Sequence, residues 1–515
     1  MSPTPLPCRA AAVHASRRRR AGPLRQVVGL ALVVALLGGC GARRRGPLPV
    51  ALAGDETAFQ TAATAHLTPA GQVLRAATVE GLVGFDAEGR VVPAIAERWI
   101  VTDDGLGYIF RLREGTWPDG SPIDAASVVS ALRRARANLS NTALGLDLAP
   151  IDEIRVMTDR VVEIDLVAAL PDLLTLLAQP EMGLPRARLG SGPLGLRREG
   201  GQALLSPIPP EKRGLAPVEN FARSVRPLRL EVMPMARAVQ RFNDGLVDVA
   251  LGGTIDTLPL AGTTMLSRGN VQLDPVAGLF GIQVVDAGGF LADPLRREAL
   301  ALAIDRDGIV GAFSIGGWQP TTRLIPGDVP EDAGMDQSTS PGERWVGTTL
   351  DQRRALARQR VQAWIASGQP APVLRLAMPD GPGSRLVFDR LLGDFAQIGI
   401  RLERVGLEDR AQLRLVDSVA RYGRAAWFLD QVACTVEPAG CSAQADALAA
   451  QARAERDGRV RAILLGQAAA AAIAANGYLP IARPLRWSLV RSGVGGFAPN
   501  PWGWHALPPL TMVSR

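Results

Sequence analysis

The segment YIFRLREGTWPDGSPIDAASVVSALRR, which runs from Tyr108 to Arg134, combines three local patterns in sequence. Its first six residues mix apolar and charged side chains in alternation, which predicts a half-buried strand with one solvated face. Two glycines and the pair Pro118-Asp119 follow, and such residues supply the backbone angles of tight turns. Asp124 then stands at the position of a helix N-cap, ahead of apolar residues at helical spacing, Val128, Val129, Leu132 and Ala135. The segment therefore predicts a strand, a turn and a capped helix.

The sequence of this unit, with Trp117-Pro118-Asp119-Gly120 ahead of the helix, resembles the signature of the peptide/nickel family of ABC-transporter substrate-binding proteins. Other segments resemble the same family in order and spacing: Glu80 to Phe85, Pro93 to Trp99, Asp103 to Tyr108, Gly190 to Leu194, Phe290 to Val310, Phe395 to Glu403 and Gly496 to Trp504. Leu194 is a departure, because the family usually carries an aromatic residue there. The resemblance implies an α/β protein with the two-lobed periplasmic-binding-protein fold and a hinge, of the class II, large peptide-binding type.

The first 39 residues have the pattern of a targeting segment. Arg17 to Arg20 form a basic region, Val27 to Leu37 an apolar region too short to span a bilayer comfortably, and Leu37-Gly38-Gly39-Cys40 a cleavage site. The sequence thus predicts a signal peptide over 1–39. The cysteine after Gly39 resembles a bacterial lipobox, which implies a lipidated Cys40 and a tether over 40–49. Ordinary secretion without a lipid remains the alternative.

The net charge narrows the classes of function. The whole chain carries +7, but six arginines and no acidic residue lie in 1–39, so the remainder carries 7 − 6 = +1. Nucleic-acid binding is not expected, because no basic face with interleaved aromatic residues is present. No cofactor and no metal site are expected either, since the histidines after the leader are His66 and His505 alone. The chain also lacks a Gly-x-Ser-x-Gly motif with a usable histidine and acid, so an enzyme is not expected.

A chain of 515 residues is too long for one compact domain of ordinary size, so two or more lobes are expected. Within it, 226–253 has the strand, helix and strand spacing of a βαβ crossover. By the resemblance, lobe I spans 50–273 together with 487–515, and lobe II spans 274–486. The chain would then cross between the lobes near Asp274 and near Arg483, which predicts a hinge.

Two cysteines remain after the leader and Cys40 are set aside. Cys434 and Cys441 form a local pair, and in an oxidising compartment a disulfide with a short loop is expected between them. Two buried free thiols are the alternative. Two thiols alone do not make a zinc site.

The predicted ligand contact is the segment around Trp427 and Asp430. Peptide-binding members of the family carry Trp-x-x-Asp, and by that resemblance Asp430 receives the α-ammonium group of the ligand and Trp427 lines the pocket. A buried cationic amine needs a carboxylate to offset its desolvation. Many members continue with Asp-Pro, where this chain has Ala433-Cys434. The alternative is that Trp427 belongs to the core and Asp430 is an exposed loop acid.

The function implied by the resemblance is that of the substrate-binding component of an ABC importer. Such a protein binds an oligopeptide or a similar small solute between its lobes and delivers it to the permease and ATPase complex. It would lie in the periplasm, held to a membrane through Cys40. A degenerate lipoprotein acting as a sensor or scaffold, and less so a hydrolase, are the alternatives, and the identity of the cargo is left open.

Overall fold

The computed structural model describes residues 46–59, 67–140, 142–185, 191–262, 269–327 and 342–513. The predicted signal peptide, Cys40 and His66 lie outside these residues. From Leu48 onward the chain forms one compact unit. Its secondary structure falls into three larger sheets, one two-stranded ribbon and the helices that cover them.

The strands are numbered in chain order. They are β1 Leu48–Ala53, β2 Val83–Phe85, β3 Val91–Pro93, β4 Ala96–Val101, β5 Gly107–Leu112, β6 Ile151–Thr158, β7 Val161–Leu166, β8 Leu194–Glu199, β9 Gln202–Pro207, β10 Leu228–Met233, β11 Val249–Thr254, β12 Val271–Asp274, β13 Gly278–Val284, β14 Val373–Ala377, β15 Arg401–Val405, β16 Leu413–Val419, β17 Tyr478–Ala482 and β18 Arg486–Val490.

The α-helices of the described residues are numbered in the same way. They are α1 Pro69–Thr78, α2 Ala125–Asn138, α3 Ala143–Asp147, α4 Leu173–Leu177, α5 Phe221–Ser224, α6 Met235–Asn243, α7 Pro294–Ala303, α8 Arg306–Gly311, α9 Leu350–Ala366, α10 Pro382–Ala396, α11 Ala425–Gln431, α12 Ala443–Ala454 and α13 Gly458–Ala475. Short 3-10 helices cover Glu56–Phe59, Pro180–Met182, Pro210–Arg213, Ile255–Ala261, Gly289–Ala292 and Pro508–Thr511.

The largest sheet has seven strands in the order β12-β18-β11-β1-β10-β9-β8. β1 pairs in parallel with both β10 and β11, and α6 connects these two strands. This confirms the predicted βαβ crossover. Gly245, with φ of 74°, follows the end of α6, and the second strand begins at Val249.

The second sheet has four antiparallel strands in the order β4-β5-β7-β6 and contains the strand, turn and helix predicted from Tyr108 to Arg134. Asp124 caps α2 by accepting a hydrogen bond of 2.8 Å from the backbone N–H of Ser127. Residues 91–93 and 96–101 form the strands β3 and β4, and β4 pairs along β5, where Trp99 lies opposite Phe110.

The third sheet has five strands in the order β15-β14-β16-β13-β17 and is covered by α7, α9 and α10. The chain passes between this sheet and the seven-stranded sheet twice, at 275–277 and at 483–485. We call the body with the seven- and four-stranded sheets lobe I and the body with the five-stranded sheet lobe II. The two-lobed α/β architecture agrees with the expectation from the sequence.

One hydrophobic cluster extends across both lobes. On the lobe I side it contains Phe110 and Leu132 from the four-stranded sheet and α2, and on the lobe II side it contains Trp427, Phe428 and Leu429 from α11. The contact is therefore apolar at its centre. It brings α3 against α11.

Helix α13 is apolar over most of its length. It has 18 residues, and among the described residues it is the one helix whose length and composition would allow it to cross a membrane. Ala462, Leu465 and Ala468 of α13 are buried in the cluster shared with α11, so this face of the helix belongs to the protein core.

Candidate ligand-binding site

The structure places Trp427 and Asp430 on α11, in the contact between the lobes. Their exposed fractions are 2% and 1%, so neither residue lies in an exposed loop. The ring of Trp427 packs edge-on against Phe428, with centroids 4.9 Å apart. Its indole Nε1 is buried and has no hydrogen-bond partner among the described residues. Trp427 is thus a core residue of this contact that retains one unused donor.

Asp430 belongs to a cluster that we call the acid centre: Asp147, Tyr422, Asp430 and Arg453. Arg453, from α12, forms an ion pair with Asp430. Asp147, from α3 of lobe I, is in hydrogen-bond contact with Asp430, and it accepts a hydrogen bond of 2.7 Å from the hydroxyl of Tyr422. Two acids, one phenol and one guanidinium are therefore gathered across the lobes.

Burial sets the protonation of the acid centre. It raises the pKa of Asp147 well above the ordinary value of 3.8, and the charge of Asp430 raises it further. Burial also raises the pKa of Asp430, although the charge of Arg453 opposes this. Asp147 Oδ2 is buried and has no N–H or O–H donor among the described residues. A proton on Asp147 that is donated to Asp430 satisfies both carboxyl groups.

A cavity of about 150 Å³ borders the acid centre. Its walls include Leu146 of lobe I and, from lobe II, Asp430, Asp446 and Arg453. It is smaller than the pockets of about 300 Å³ or more that hold drug-sized ligands. A ligand ammonium group at Asp430 would have to take the place of the Arg453 guanidinium. The role of Asp430 in binding a ligand stays a prediction. Arg453 competes with a ligand ammonium group for the Asp430 carboxylate.

The segment that follows β16 makes polar contacts with lobe I. Arg421 lies 3.1 Å from Glu181, and its carbonyl accepts a hydrogen bond of 3.3 Å from Gln179. Arg424 pairs with Asp172. The sequence analysis missed these residues. The signal that could have found them is the run Arg421-Tyr422-Gly423-Arg424 at the carboxyl end of a strand, an edge where binding residues gather in α/β proteins.

A second polar contact between the lobes involves Asp256, which follows β11. Its carboxylate accepts hydrogen bonds of 2.9 Å from the N–H of Gly381 and 2.5 Å from the hydroxyl of Ser384, at the N-terminus of α10. A negative charge there complements the helix dipole. A Cβ atom at Gly381 would lie 2.2 Å from Asp256 Oδ2, so glycine permits the close approach. Lobe I thereby caps a helix of lobe II.

Cys434 and Cys441 are joined by a disulfide in the loop between α11 and α12. The backbone N–H of Cys434 also donates a hydrogen bond of 3.0 Å to Asp446 on α12. The loop thus ties together the two helices that carry Asp430 and Arg453. The described residues contain no cluster of three or more histidine, cysteine or acidic residues that could hold a metal ion.

Solved structures share this two-lobed architecture. The oligopeptide-binding protein OppA of Haemophilus influenzae, in complex with RPPGFSPFR, matches with a TM-score of 0.75 and 16% identity, over 91% of this chain and 99% of that one. The Escherichia coli murein tripeptide-binding protein MppA matches with a TM-score of 0.75 and 18% identity, over 92% and 99%. These matches identify the fold as that of two-lobed periplasmic binding proteins.

Sequence matches point to one family. Residues 90–199 match the family described as "Bacterial extracellular solute-binding proteins, family 5 Middle". A probable di/tripeptide-binding protein of Pseudomonas aeruginosa is 26% identical over 82% of this chain and 87% of its own length. These matches support the resemblance to the peptide/nickel family of ABC-transporter substrate-binding proteins, and the relatives that they name are binding proteins.

Some relatives match more strongly over a shorter region. A probable deoxycholate-binding periplasmic protein of Escherichia coli is 35% identical over 122 residues, which cover 20% of this chain and 23% of that protein. The alignments with the first three relatives span between 22% and 24% of those proteins.

Proposed function

We propose that this protein is the substrate-binding component of an ABC importer, whose two lobes close on a small solute. The proposal depends mainly on one observation: the chain connects the two sheets twice, at 275–277 and at 483–485. Polar contacts of Asp256 and Arg421 also join the lobes. Two short chain connections between the lobes permit a hinge. A ligand that touches both lobes binds the closed form better and shifts the population toward it.

The proposed cargo is an oligopeptide or a similar small solute, which is handed to the membrane permease and its ATPase. Peptides are named for several relatives, including the OppA complex and the murein tripeptide-binding protein. One relative is named as a probable deoxycholate-binding protein, so non-peptide solutes should be tested as ligands as well. The family relationship favours this function over the alternative of a sensor or scaffold.

A thermal-shift screen of di-, tri- and oligopeptides and of bile acids tests the proposal. A ligand at 100 times its dissociation constant should stabilise the folded protein by about 2.7 kcal/mol. Small-angle scattering at saturating ligand should then show a smaller radius of gyration, because the ligand shifts the population from the open to the closed form. A protein that gains no stability with any compound, or that binds without any change in radius, would contradict closure on a cargo.

The lobe boundaries of 50–273 with 487–515, and of 274–486, are part of this proposal. So is the membrane anchor at Cys40. Acyl chains would hold the protein at a membrane, which the short apolar region before Gly39 cannot do after cleavage. Replacing Cys40 by serine should abolish labelling by a fatty-acid analogue and release the protein or leave it unprocessed. Equal labelling of both forms would remove the lipoprotein assignment.

The predicted role of Asp430 can be separated from a structural role. If Asp430 receives a cationic group of the cargo, Asp430→Asn should weaken binding by about 2 to 5 kcal/mol while the melting point without ligand stays nearly constant. If Asp430 instead serves Arg453 and Asp147, the same change should lower the melting point. Asp446→Asn is a matched control, since Asp446 borders the same cavity without pairing to Arg453 in the described contacts.

A further inference from the structure

A larger cavity, of about 290 Å³, lies entirely within lobe I. It shares no lining residue with the cavity beside Asp430. Most of its walls are apolar: Ala76, Val79, Val83, Phe85, Val92, Pro93, Ala178, Pro180, Trp504, Ala506, Pro508 and Pro509. Gln179 lies at its edge and bonds to the carbonyl of Arg421, so lobe II is a neighbour of the cavity and not a wall. Its volume approaches the lower end of ligand pockets, at about 300 Å³.

Aromatic rings shape one side of this cavity. The ring of Phe85 lies edge-on to that of Trp504, with centroids 5.7 Å apart, and 5.9 Å from that of Trp502. Trp502 donates its indole N–H to the carbonyl of Gly89 at 2.7 Å, which fixes the C-terminal tail against the loop after β2. The rings are therefore held in place. A flat apolar group could pack against Phe85 and Trp504 at little cost in ordering them.

Two guanidinium groups share one carboxylate at the cavity. Glu80 pairs with Arg113 at 2.7 Å and with Arg213 through its other oxygen. Glu80 and Arg113 are 6% and 2% exposed, and the side chain of Arg213 is 16% exposed. We call these three residues the arginine centre. Since arginine stays protonated at any ordinary pH, the centre keeps one positive charge in excess.

The described structure offers no further partner for that charge. Arg213 Nε is buried and has no hydrogen-bond partner among the described residues. Asp86, the other acid on the cavity wall, already bonds to Arg90 Nε at 2.8 Å and accepts two backbone N–H groups. A buried donor without a partner is costly, and an arginine fork suits a carboxylate. The cavity therefore combines aromatic and apolar walls with the partly exposed side chain of Arg213, which carries the excess charge of the arginine centre.

We propose that this lobe I cavity is a second ligand site, which binds a small carboxylic acid with an aromatic or apolar body. The carboxylate contacts Arg213, and the body packs between Phe85, Trp504 and the prolines of the walls. The site lies outside the contact between the lobes. It does not depend on the proposed cargo function.

Isothermal titration calorimetry with 3-phenylpropanoate tests the proposal on the full mature chain. The acid should bind with a dissociation constant of about 1 mM or tighter, as expected for a ligand of this size. The alcohol 3-phenylpropan-1-ol and the amine 3-phenylpropylamine, which have the same body, should bind at least about tenfold more weakly, because they lack the charge that pairs with Arg213. Absence of binding by the acid, or equal binding of all three, overturns the proposal.

Two variants locate the site. Arg213→Gln removes the excess charge and leaves Glu80 and Arg113 as a one-to-one pair, so the variant should fold and lose at least about tenfold in affinity for the acid. Arg223→Gln, a change of the same charge at an exposed position, should bind as the wild type does. Undiminished binding by Arg213→Gln overturns the assignment.

The second variant fills the cavity. Gly84 lies on its wall, and a Cβ atom there meets nothing within 4 Å, so Gly84→Leu places a side chain in open space. This variant should lose the phenylpropanoate signal without losing its folded circular dichroism spectrum. Normal binding by folded Gly84→Leu overturns the location. Neither variant should change the thermal shift caused by a cargo peptide, so failure of this proposal is distinguishable from failure of the cargo function.

Discussion

The arginine centre and the acid centre are two buried charge clusters of opposite composition. In the first, Arg113 and Arg213 share Glu80, and in the second, Asp147 contacts Asp430, which pairs with Arg453. An excess of arginine cannot be relieved by losing a proton, whereas an excess of carboxyl groups is relieved by gaining one. The excess positive charge of the first cluster can therefore be neutralised by a bound anion, and the excess negative charge of the second by a bound proton. From this difference we expect ligand binding at the first cluster and pH sensitivity at the second.

Removing the shared carboxylate should have the largest effect. Glu80→Gln leaves two guanidinium groups without their acid in a buried place, which should lower the free energy of unfolding by about 3 to 5 kcal/mol. Urea denaturation measures this. Glu97→Gln is the control, since Glu97 pairs with Arg111 at the surface, where both side chains are at least 40% exposed, and a surface pair contributes about 1 kcal/mol or less. Equal losses in the two variants would contradict the contrast.

The disulfide lies between the two helices that carry Asp430 and Arg453, so its loss should affect the acid centre and leave the arginine centre unchanged. Replacing both Cys434 and Cys441 by serine should lower the free energy of unfolding by about 2 to 3 kcal/mol, through the freedom gained by the unfolded chain. Dithiothreitol should have the same effect on the wild type and none on the double variant. Binding of 3-phenylpropanoate in lobe I should not change. A double variant as stable as the wild type would show that the loop between α11 and α12 needs no covalent closure.

The acid centre should make stability depend on pH. Because the folded-state pKa of Asp147 is raised above 3.8, its contribution is fully present below about pH 4 and is lost as pH rises through the raised value. For one group the slope is at most about 1.4 kcal/mol per pH unit. Asp147→Asn cannot titrate, so the wild type should lose stability relative to this variant as the pH rises from about 4 through the raised pKa of Asp147.

Several charged or titratable groups face Asp147 and influence its pKa, so the control variant must lie away from them. They are Tyr422, Asp430 and Arg421, which act through hydrogen bonding or charge, and Arg453 acts through Asp430. Asp389→Asn, at an exposed position of α10, should run parallel to the wild type. Parallel curves for the wild type and Asp147→Asn would show that the two acids do not share a proton.

A helix cap far from both centres should give the smallest effect. Asp124→Ala removes the side-chain acceptor at the start of α2 and should cost about 1 kcal/mol. The loss should be the same at low and neutral pH and should not alter binding of 3-phenylpropanoate. Asp124→Asn, which keeps an acceptor, should recover most of it. A loss that varies with pH as that of Asp147→Asn does would weaken the assignment of pH sensitivity to the acid centre.

Local patterns in the sequence predict local structure well in this chain. The strand, turn and helix of Tyr108 to Arg134 and the crossover through α6 follow from alternation, turn residues and capping over short distances. The two-lobed fold also agrees with the expectation from the family resemblance. The disulfide pairs two cysteines only seven positions apart.

The charge clusters could not be predicted in the same way. Glu80 meets Arg113 and Arg213 across 33 and 133 positions, and Tyr422 meets Asp147 across 275. No local pattern signals such partners, because tertiary packing alone brings them together. Asp430 illustrates this point. Its sequence context suggested a pocket acid with an exposed loop acid as the alternative, and the structure shows a buried helical residue with Arg453 beside it.

The position of β18 has a consequence for the order of folding. This strand, Arg486–Val490, lies between β11 and β12, and among the described strands β12 pairs with β18 alone. The first lobe to be synthesised therefore cannot complete its sheet until nearly the whole chain has emerged. Contacts of such long sequence separation slow folding and leave strand edges exposed meanwhile. We therefore expect lobe I to reach its full stability only after β18 has been synthesised.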